Sequence, residues 1–317
     1  MGAEMAELKQ YRTFVSNNAR WDGFEFRDDD IVISTPAKCG TTWTQMLCAL
    51  LIFDTPDLPA PLTRLSPWLD LQTNAVGEIL DLLDRQEHRR FIKTHTPLDG
   101  LPQDPRVTYV CVGRDPRDVQ KSWQGHLANI DTAVLVNARA AAVGLDDLKD
   151  DHASFADLPT DPKDLFWAWA DGSSGDARLG PTLPGMLEQI EGFWNARHEP
   201  NVALFHYADY KADLPGEMQR LASVLGLDID GARIAELAGA ASFESMKRNA
   251  DTIIPDNGKS FFKDNTGFFK SGVNGQWRDL LDDEDLARYD KRVDELVPGD
   301  CAAWVHDGWI ASGMERP

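Results

Sequence analysis

Apolar residues fall along the chain in two alternating patterns. Short runs rich in β-branched and aromatic residues, typical of buried strands, stand at 31–35, 90–94, 107–112 and 201–206. Apolar residues at helical spacing cover 44–53, 115–129, 182–198 and 212–225. Strands that alternate with helices predict an α/β fold with a central parallel sheet.

The chain shows no internal repeat and no clear boundary, so we expect one domain over 1–317. Its most irregular stretch, about 145–181, is rich in Pro, Gly, Ser and Asp. Loops of this length often cover a ligand, so we interpret it as a lid or as one wall of a site. Its aromatic residues Phe166, Trp167 and Trp169 favour burial over disorder.

The composition, with 42% hydrophobic and 26% charged residues, is ordinary for a globular protein. The longest apolar run, Met46 to Phe53, is far shorter than the roughly 20 residues that span a membrane. The amino terminus lacks the pattern of a secretory signal, and the four cysteines lack the spacing of a metal site or a disulfide framework. We therefore expect a cytoplasmic protein without a membrane span or a metal.

The charge is strongly acidic: 32 Lys and Arg stand against 52 Asp and Glu, a formal net charge of −20. This balance disfavours nucleic acid as a partner. The acidic blocks at 28–30, 146–151 and 282–285 are expected on the solvated surface. An anionic ligand would therefore need a local basic pocket.

A first candidate pocket is the loop PAKCGTTW at 36–43, between a predicted strand and helix. Backbone N–H groups at the start of a helix bind anions, Gly40 allows close approach, and Lys38 adds a charge. Thr41 and Thr42 add hydroxyls. The loop lacks the Ser or Thr that follows Lys in magnesium-binding phosphate loops, which disfavours a Walker-type ATPase. Read alone, it fits an ordinary strand-to-helix turn equally well.

A second candidate is Arg114, which follows the third predicted strand. Asp115 is suited to cap a helix and Pro116 to begin it, so Arg114 is expected at the carboxyl end of a strand, where α/β proteins bind ligands. Its guanidinium suits a phosphate, with the Ser122 hydroxyl two turns further on. The alternative is an ion pair with a surface carboxylate.

Two further segments carry candidate chemistry. If the second strand extends to residue 95, Lys93 and His95 point to the same face, an arrangement that suits proton abstraction from a hydroxyl. The segment FFKSGVNGQWR at 268–278 resembles a flexible basic flap, although an irregular loop fits it as well. The other histidines, among them His126, His198 and His306, are expected to be structural.

In this order, the four segments resemble those of the cytosolic-type sulfotransferases, over about 30–280. PAKCGTTW is similar to the family's PKSGTTW, and Arg114 to Ser122 is similar to R-[ND]-P-[RK]-D-V-x-x-S. The segment at 93–102 matches the family's KTH element, and 268–277 matches F-x-[RK]-x-G-x-x-G-x-W. SPWLD and NVALFHYADY are especially similar to actinobacterial members associated with glycolipid sulfation.

The resemblance implies a phosphate-loop-like fold and the donor 3′-phosphoadenylyl sulfate (PAPS), released as adenosine 3′,5′-bisphosphate (PAP). Trp43 would stack on adenine, Tyr207, Phe243 and Met246 would line its pocket, and Arg114 would bind the 3′-phosphate. The implied donor-binding residues are Lys38, Cys39, Gly40, Thr41, Thr42, Trp43, Arg114, Ser122, Tyr207, Phe243, Met246, Phe268, Lys270, Ser271 and Gly272.

The implied mechanism uses His95 as general base on an acceptor hydroxyl of a small molecule, carbohydrate or glycolipid. Lys38 and Lys93 would stabilise charge on the transferring group, Ser122 would restrain Lys38, and no metal would be needed. An ATP-dependent small-molecule kinase and a non-catalytic bisphosphate-binding protein are the alternatives. The acceptor and the oligomeric state stay open.

Four positions depart from the family pattern. Cys39 replaces the usual Ser, and Ala241 replaces a Thr, which would remove one hydroxyl contact to the nucleotide unless Ser242 supplies it. Lys270 and Ser271 stand where Arg and Lys are common, which puts the affinity for the donor in doubt.

Overall fold

The computed structural model describes residues 8–146, 159–172, 180–253, 261–269 and 272–317. Its centre is a sheet of four parallel strands in the order β2-β1-β3-β4. The strands are β1 (Ile31–Ser34), β2 (Phe91–Thr94), β3 (Thr108–Gly113) and β4 (Val202–His206). The predicted α/β fold with a central parallel sheet is confirmed, because each apolar run forms a strand buried on both faces.

Helices surround the sheet. Those before β4 are α1 (Thr41–Phe53), α2 (Leu62–Leu65), α3 (Val76–Asp84), α4 (Pro116–Asn129), α5 (Thr132–Val143), α6 (Pro162–Asp171) and α7 (Leu183–Asn195). Those after it are α8 (Tyr207–Ala212), α9 (Leu214–Val224), α10 (Gly231–Ala240), α11 (Phe243–Arg248), α12 (Ala250–Ile253), α13 (Asp283–Asp294) and α14 (Gly299–Ser312). Short 3-10 helices occupy Asn18–Trp21, Leu98–Gly100, Thr266–Phe268 and Gln276–Asp279.

Alternate residues of the strands feed two hydrophobic cores, one on each face of the sheet. Val32 and Cys111 face a core built with α6, α7, α13 and α14. Ile33 and Val112 face a second core built with α1, α9 and α10. This two-sided packing fixes the strand ends, because neither face of the sheet is free to move.

The stretch at 145–181 differs in part from the irregular insertion expected. Residues 162–171 form α6, with Asp161 capping its first turn and Pro162 at its first position. Phe166, Trp167 and Trp169 are buried in the core, as their burial preference indicated. The interpretation of the stretch as a lid or wall stays a prediction, since 147–158 and 173–179 lie outside the described residues.

Two acidic residues expected at the surface are buried. Asp30 forms an ion pair with Arg90, and both side chains are 1% exposed. Asp285 accepts a hydrogen bond from the indole N–H of Trp167 at 3.1 Å and closes the capping box of α13. Within the described part of the chain, no helix is long and apolar enough to cross a bilayer.

Candidate active site at the carboxyl edge of the sheet

The parallel strands bring four predicted site residues to one edge of the sheet. Lys38 lies in the loop after β1, His95 directly follows β2, Arg114 directly follows β3, and Tyr207 directly follows β4. Carboxyl ends of parallel strands form the common ligand-binding edge of α/β proteins. Residues that are far apart in the sequence therefore meet here.

The loop before α1 has the backbone of an anion-binding loop. Lys38 and Gly40 have left-handed φ angles of 70° and 112°, which curl the chain tightly before α1 begins at Thr41. A Cβ atom at Gly40 would lie 3.2 Å from the Tyr207 ring, so a side chain there is disfavoured both by φ and by space. The first turn of α1 leaves N–H groups without helical partners, and Thr42 is buried beside them.

Cys39 lies in the same loop and is fully buried. Burial raises the pKa of its thiol to about 12, so the side chain stays protonated at neutral pH. Its N–H donates to the carbonyl of Pro36 at 3.3 Å, which stabilises the turn. The replacement of the usual Ser therefore adds a small buried group to the core.

Arg114 is a buried cation without a carboxylate partner among the described residues. The side chain is 8% exposed, its Nη1 donates to the carbonyl of Lys38 at 3.0 Å, and its guanidinium stacks 4.1 Å from the centre of the Tyr207 ring. Its Nε is buried and has no acceptor in the described parts of the chain. Asp115, the nearest carboxylate in sequence, pairs with Arg117 at 2.9 Å. Among the described residues Arg114 forms no ion pair of the kind considered as the alternative, and a buried guanidinium without a carboxylate favours an anionic ligand.

Aromatic side chains border this cation. The indole of Trp43 is half-buried, donates to the carbonyl of Ala241 at 2.9 Å, and meets the Tyr207 ring edge-on with centroids 5.3 Å apart. Phe243 closes the region, since a Cβ atom at Gly272 would lie 2.9 Å from its ring. Met246 is 2% exposed and belongs to the core beneath.

The flap at 268–278 is only partly described, because Lys270 and Ser271 lie outside the described residues. Two glycines in its middle are attached to the body of the protein. The carbonyl of Gly272 accepts a hydrogen bond from the Lys211 ammonium, and the N–H of Gly275 donates to the Asp118 carboxylate at 2.8 Å. These contacts hold the flap beside α4 and α8.

His95 is oriented by a backbone carbonyl. β2 ends at Thr94, one residue earlier than the extended strand considered above, and Nδ1 of His95 lies 2.7 Å from the carbonyl oxygen of Thr35. A carbonyl only accepts, so Nδ1 carries the proton and Nε2 keeps its lone pair. Burial, and then the charge of Lys93, lower the pKa of His95 to about 3. The imidazole is therefore neutral at physiological pH and can accept a proton at Nε2.

The two lysines of the site lie on aromatic rings. The Lys93 ammonium is 4.3 Å from the centre of the Trp68 ring, and the Lys38 ammonium is 4.4 Å from that of Phe268. Burial lowers the pKa of Lys38 to about 7, with Arg114 and Lys93 adding to the effect. Burial also lowers the pKa of Lys93 to about 8. The predicted restraint of Lys38 by Ser122 is not seen among the described residues, where Lys38 contacts Phe268.

Three residues of the site escaped the sequence analysis. Trp68 comes from a segment that runs beside β2, where the N–H of Lys93 donates to the carbonyl of Pro67 at 2.9 Å. Asp70 is fully buried and accepts hydrogen bonds at 2.6 Å from the hydroxyls on both sides of His95. His126, expected to be structural, lies near enough to Lys38, Lys93 and His95 for all three to lower its pKa. The phrase SPWLD was the only signal for the first two.

Comparisons with known proteins identify the family of the chain. The family model for the sulfotransferase domain matches residues 28–300. The chain is 42% identical to glycolipid sulfotransferases of Mycobacterium bovis and Mycobacterium tuberculosis over 314 residues, or 96% of each chain. It is 26% identical to the luciferin sulfotransferase of Photinus pyralis over 306 residues, covering 87% of this chain and 74% of the relative.

Solved structures show the same fold. A retinol dehydratase in complex with androsterone and the inactive cofactor PAP superposes with a TM-score of 0.65 at 23% identity, covering 89% of this chain and 84% of that one. A mouse sulfotransferase in complex with PAP gives a TM-score of 0.63 at 21% identity and covers 90% of both chains. The family match extends over most of the chain and the mycobacterial relatives over nearly all of it, so this protein belongs to the sulfotransferase family and is an enzyme of sulfuryl transfer.

Proposed function

We propose that the protein transfers the sulfuryl group of PAPS to an alcohol, with His95 as the general base. The observation that carries the proposal is Arg114: a buried guanidinium with no carboxylate partner in the described residues and an unsatisfied Nε. PAPS differs from an ordinary adenylate by its 3′-phosphate. A planar guanidinium suits that group, because it offers paired N–H donors to phosphate oxygens.

The described residues fit the remainder of the nucleotide. The Trp43 indole and the Tyr207 ring offer aromatic surfaces for adenine beside Phe243. The curled loop of Lys38 and Gly40 offers backbone N–H groups to the 5′ side. Tyr207 therefore contacts both ends of the site, since it stacks under Arg114 and lies against Gly40.

His95 begins the proposed reaction. Its Nε2 takes the proton of the acceptor hydroxyl, whose oxygen forms a bond to sulfur as the bond between sulfur and the 5′-phosphate oxygen breaks. Lys38 and Lys93 stabilise the charge that develops on the bridging and sulfuryl oxygens. Lys93 is buried and Lys38 is half-buried, so water screens their charges less than it would at an exposed surface. The Thr35 carbonyl holds the imidazole in the tautomer that this step needs.

The acceptor is proposed to be a glycolipid or another carbohydrate alcohol. The support is the 42% identity to two enzymes named as glycolipid sulfotransferases. Trp68 adds an aromatic face beside Lys93, and such faces bind the apolar side of a sugar ring.

Thermal unfolding with matched nucleotides tests the donor. PAP and ADP each carry two phosphates and differ in where the second one is attached, so we expect PAP to raise the melting temperature far more than ADP does. Labelled PAPS incubated with the protein and a lipid extract should give a labelled lipid. Equal shifts for PAP and ADP would refute the role of Arg114. Transfer of phosphate from ATP with magnesium, in place of sulfuryl from PAPS, would support the kinase alternative.

A further inference from the structure

A second imidazole faces the same cluster of cations as His95. His126 lies on α4 one turn beyond Ser122, so the two residues share a helix face. Its ring packs against Phe262 and Phe268, with centroids 5.3 and 5.9 Å away. The Phe268 ring also carries the Lys38 ammonium, so His126 borders the space in which Lys38 lies.

Two other histidines, one buried and one half-buried, show what a structural imidazole looks like in this protein. Nε2 of His206 lies 3.0 Å from the carbonyl of Val305, and Nδ1 of His306 lies 2.7 Å from the carbonyl of Ala302. Nδ1 of His126 is also buried, yet it has no hydrogen-bond partner in the described chain. Buried polar atoms of native proteins are nearly always hydrogen-bonded, so an unpartnered nitrogen at this place indicates a partner outside the described residues.

The surroundings of His126 indicate the chemistry of that group. The cations that act on it, Lys38 and Lys93, belong to two segments, the loop after β1 and the end of β2. Burial and these cations lower its pKa well below the usual value, so the ring is neutral. A neutral imidazole offers one donor and one acceptor, and a hydroxyl group, which also donates and accepts, matches it. A cationic group would be repelled by the lysines.

We propose that His126 binds a second hydroxyl of the acceptor, near the hydroxyl that reacts at His95. This inference rests on the proposed function and narrows it: the enzyme prefers acceptors with several neighbouring hydroxyls over simple alcohols. His126 is thus a specificity-determining residue, and it does not take part in the proton transfer.

Two acceptors with the same alkyl chain test the proposal. Octyl β-D-glucoside carries several hydroxyls and 1-octanol carries one. We expect the wild type to prefer the glucoside, and His126→Phe to lower kcat/KM for the glucoside about tenfold more than for 1-octanol, because one hydrogen bond is lost. His126→Gln, which can still donate and accept, should restore most of the preference.

His88→Phe is the matched control, since His88 also packs among aromatic rings, with Phe53 at 4.9 Å and Phe91 at 5.9 Å, but belongs to another part of the protein. The His88→Phe variant should leave the ratio of the kcat/KM values for the two acceptors unchanged. Equal losses for both acceptors in His126→Phe, or a wild type without a preference for the glucoside, would overturn the inference. Calorimetry of octyl β-D-glucoside binding to the PAP complex separates the two proposals. If His126→Phe weakens this binding but the wild type transfers no sulfuryl group from PAPS to the glucoside, the inference about His126 stands and the proposed reaction is refuted.

Discussion

The two sides of the site are built on different physical principles. On the donor side, Arg114 and the Lys38 loop are joined by a hydrogen bond to backbone and stacked on Tyr207. On the acceptor side, Lys93 and His95 lie against the single ring of Trp68, and His126 has a buried nitrogen without a partner in the described residues. The proposed donor side holds its guanidinium between a backbone carbonyl and a tyrosine ring, and the proposed acceptor side combines imidazoles with a lysine on a tryptophan ring.

The contrast separates a part of the proposed site that depends on the edge of the sheet from a part that depends on other segments. The donor side places cations near an edge of the sheet that two cores hold rigid, so its geometry depends on the fold itself. The acceptor side takes Trp68 from a segment outside the named strands and His126 from the second half of α4. Substitutions should therefore separate the two sides, and four experiments test that separation.

The largest effect is expected for His95→Ala, which removes the proposed base. Transfer should fall by about 10² to 10⁴, the usual contribution of a general base, while PAP stabilises the variant as it does the wild type. The rate from labelled PAPS and the melting temperature with PAP are the two measurements. Near-normal turnover would assign the proton transfer to another group.

Arg114→Met should weaken the binding of PAP by about 10- to 100-fold, because a charged hydrogen bond to the 3′-phosphate is lost. Binding of ADP, which lacks that phosphate, should change much less. Titration calorimetry with both nucleotides checks the difference. Arg106→Met is the matched control, because Arg106 is an exposed arginine paired with Asp104. An equal loss of affinity for PAP and for ADP would contradict a selective role of Arg114 at the 3′-phosphate.

The affinity for PAP should fall as the pH rises from 7.5 to 9, by up to about tenfold per pH unit. The sign follows from Lys38, whose lowered pKa of about 7 leaves it mostly neutral in the free enzyme over this range. PAP is an anion and binds the protonated form of Lys38, so binding must take up a proton. The phosphates of PAP do not change this sign, because their second pKa is about 6 and they are already ionised over this range. In Lys38→Arg, which stays charged, the dependence should be weaker. Calorimetry in buffers of different ionisation enthalpy measures the proton uptake, and no uptake would contradict the assignment.

The smallest effect is expected for Asp70→Asn on the acceptor side. The Asp70 charge raises the pKa of Lys93 against the effect of burial, so its removal should lower that pKa further. The alkaline limb of the pH–rate profile should then move to lower pH, and kcat at pH 8 should fall about twofold for a drop of roughly half a pKa unit. PAP binding should stay at the wild-type level. A uniform loss of activity at every pH would indicate a structural role alone.

The strands and the donor loops could be predicted because their signals are local. The run VTYVCV and the pair Asp115-Pro116 specify a buried strand followed directly by a helix, and the structure places β3 and α4 there. Arg114 stands between them, so its position at the edge of the sheet follows from the chain alone.

The acceptor side could not be predicted in the same way. Asp70 resembles any surface carboxylate in a chain with 52 acidic residues, and only the fold buries it beneath the hydroxyls of Thr94 and Thr96. Asp30, in a block expected at the surface, is buried for a similar reason, since Arg90 faces it across the β1–β2 pair. Burial of a charge depends on partners that are distant in sequence, and local patterns do not contain them.

Local sequence patterns were enough to predict the parallel α/β fold, its four strands, the helices α1, α4, α7 and α9, and the residues at the carboxyl ends of the strands. Periodicity, capping residues and β-branched runs act over a few positions, so they can be read directly. Only the folded structure shows that Arg114 has no carboxylate partner among the described residues, which tautomer His95 adopts, and that His126 lies near Lys38 and Lys93. These properties depend on electrostatics and desolvation among residues from separate elements, and only the folded chain brings those residues together.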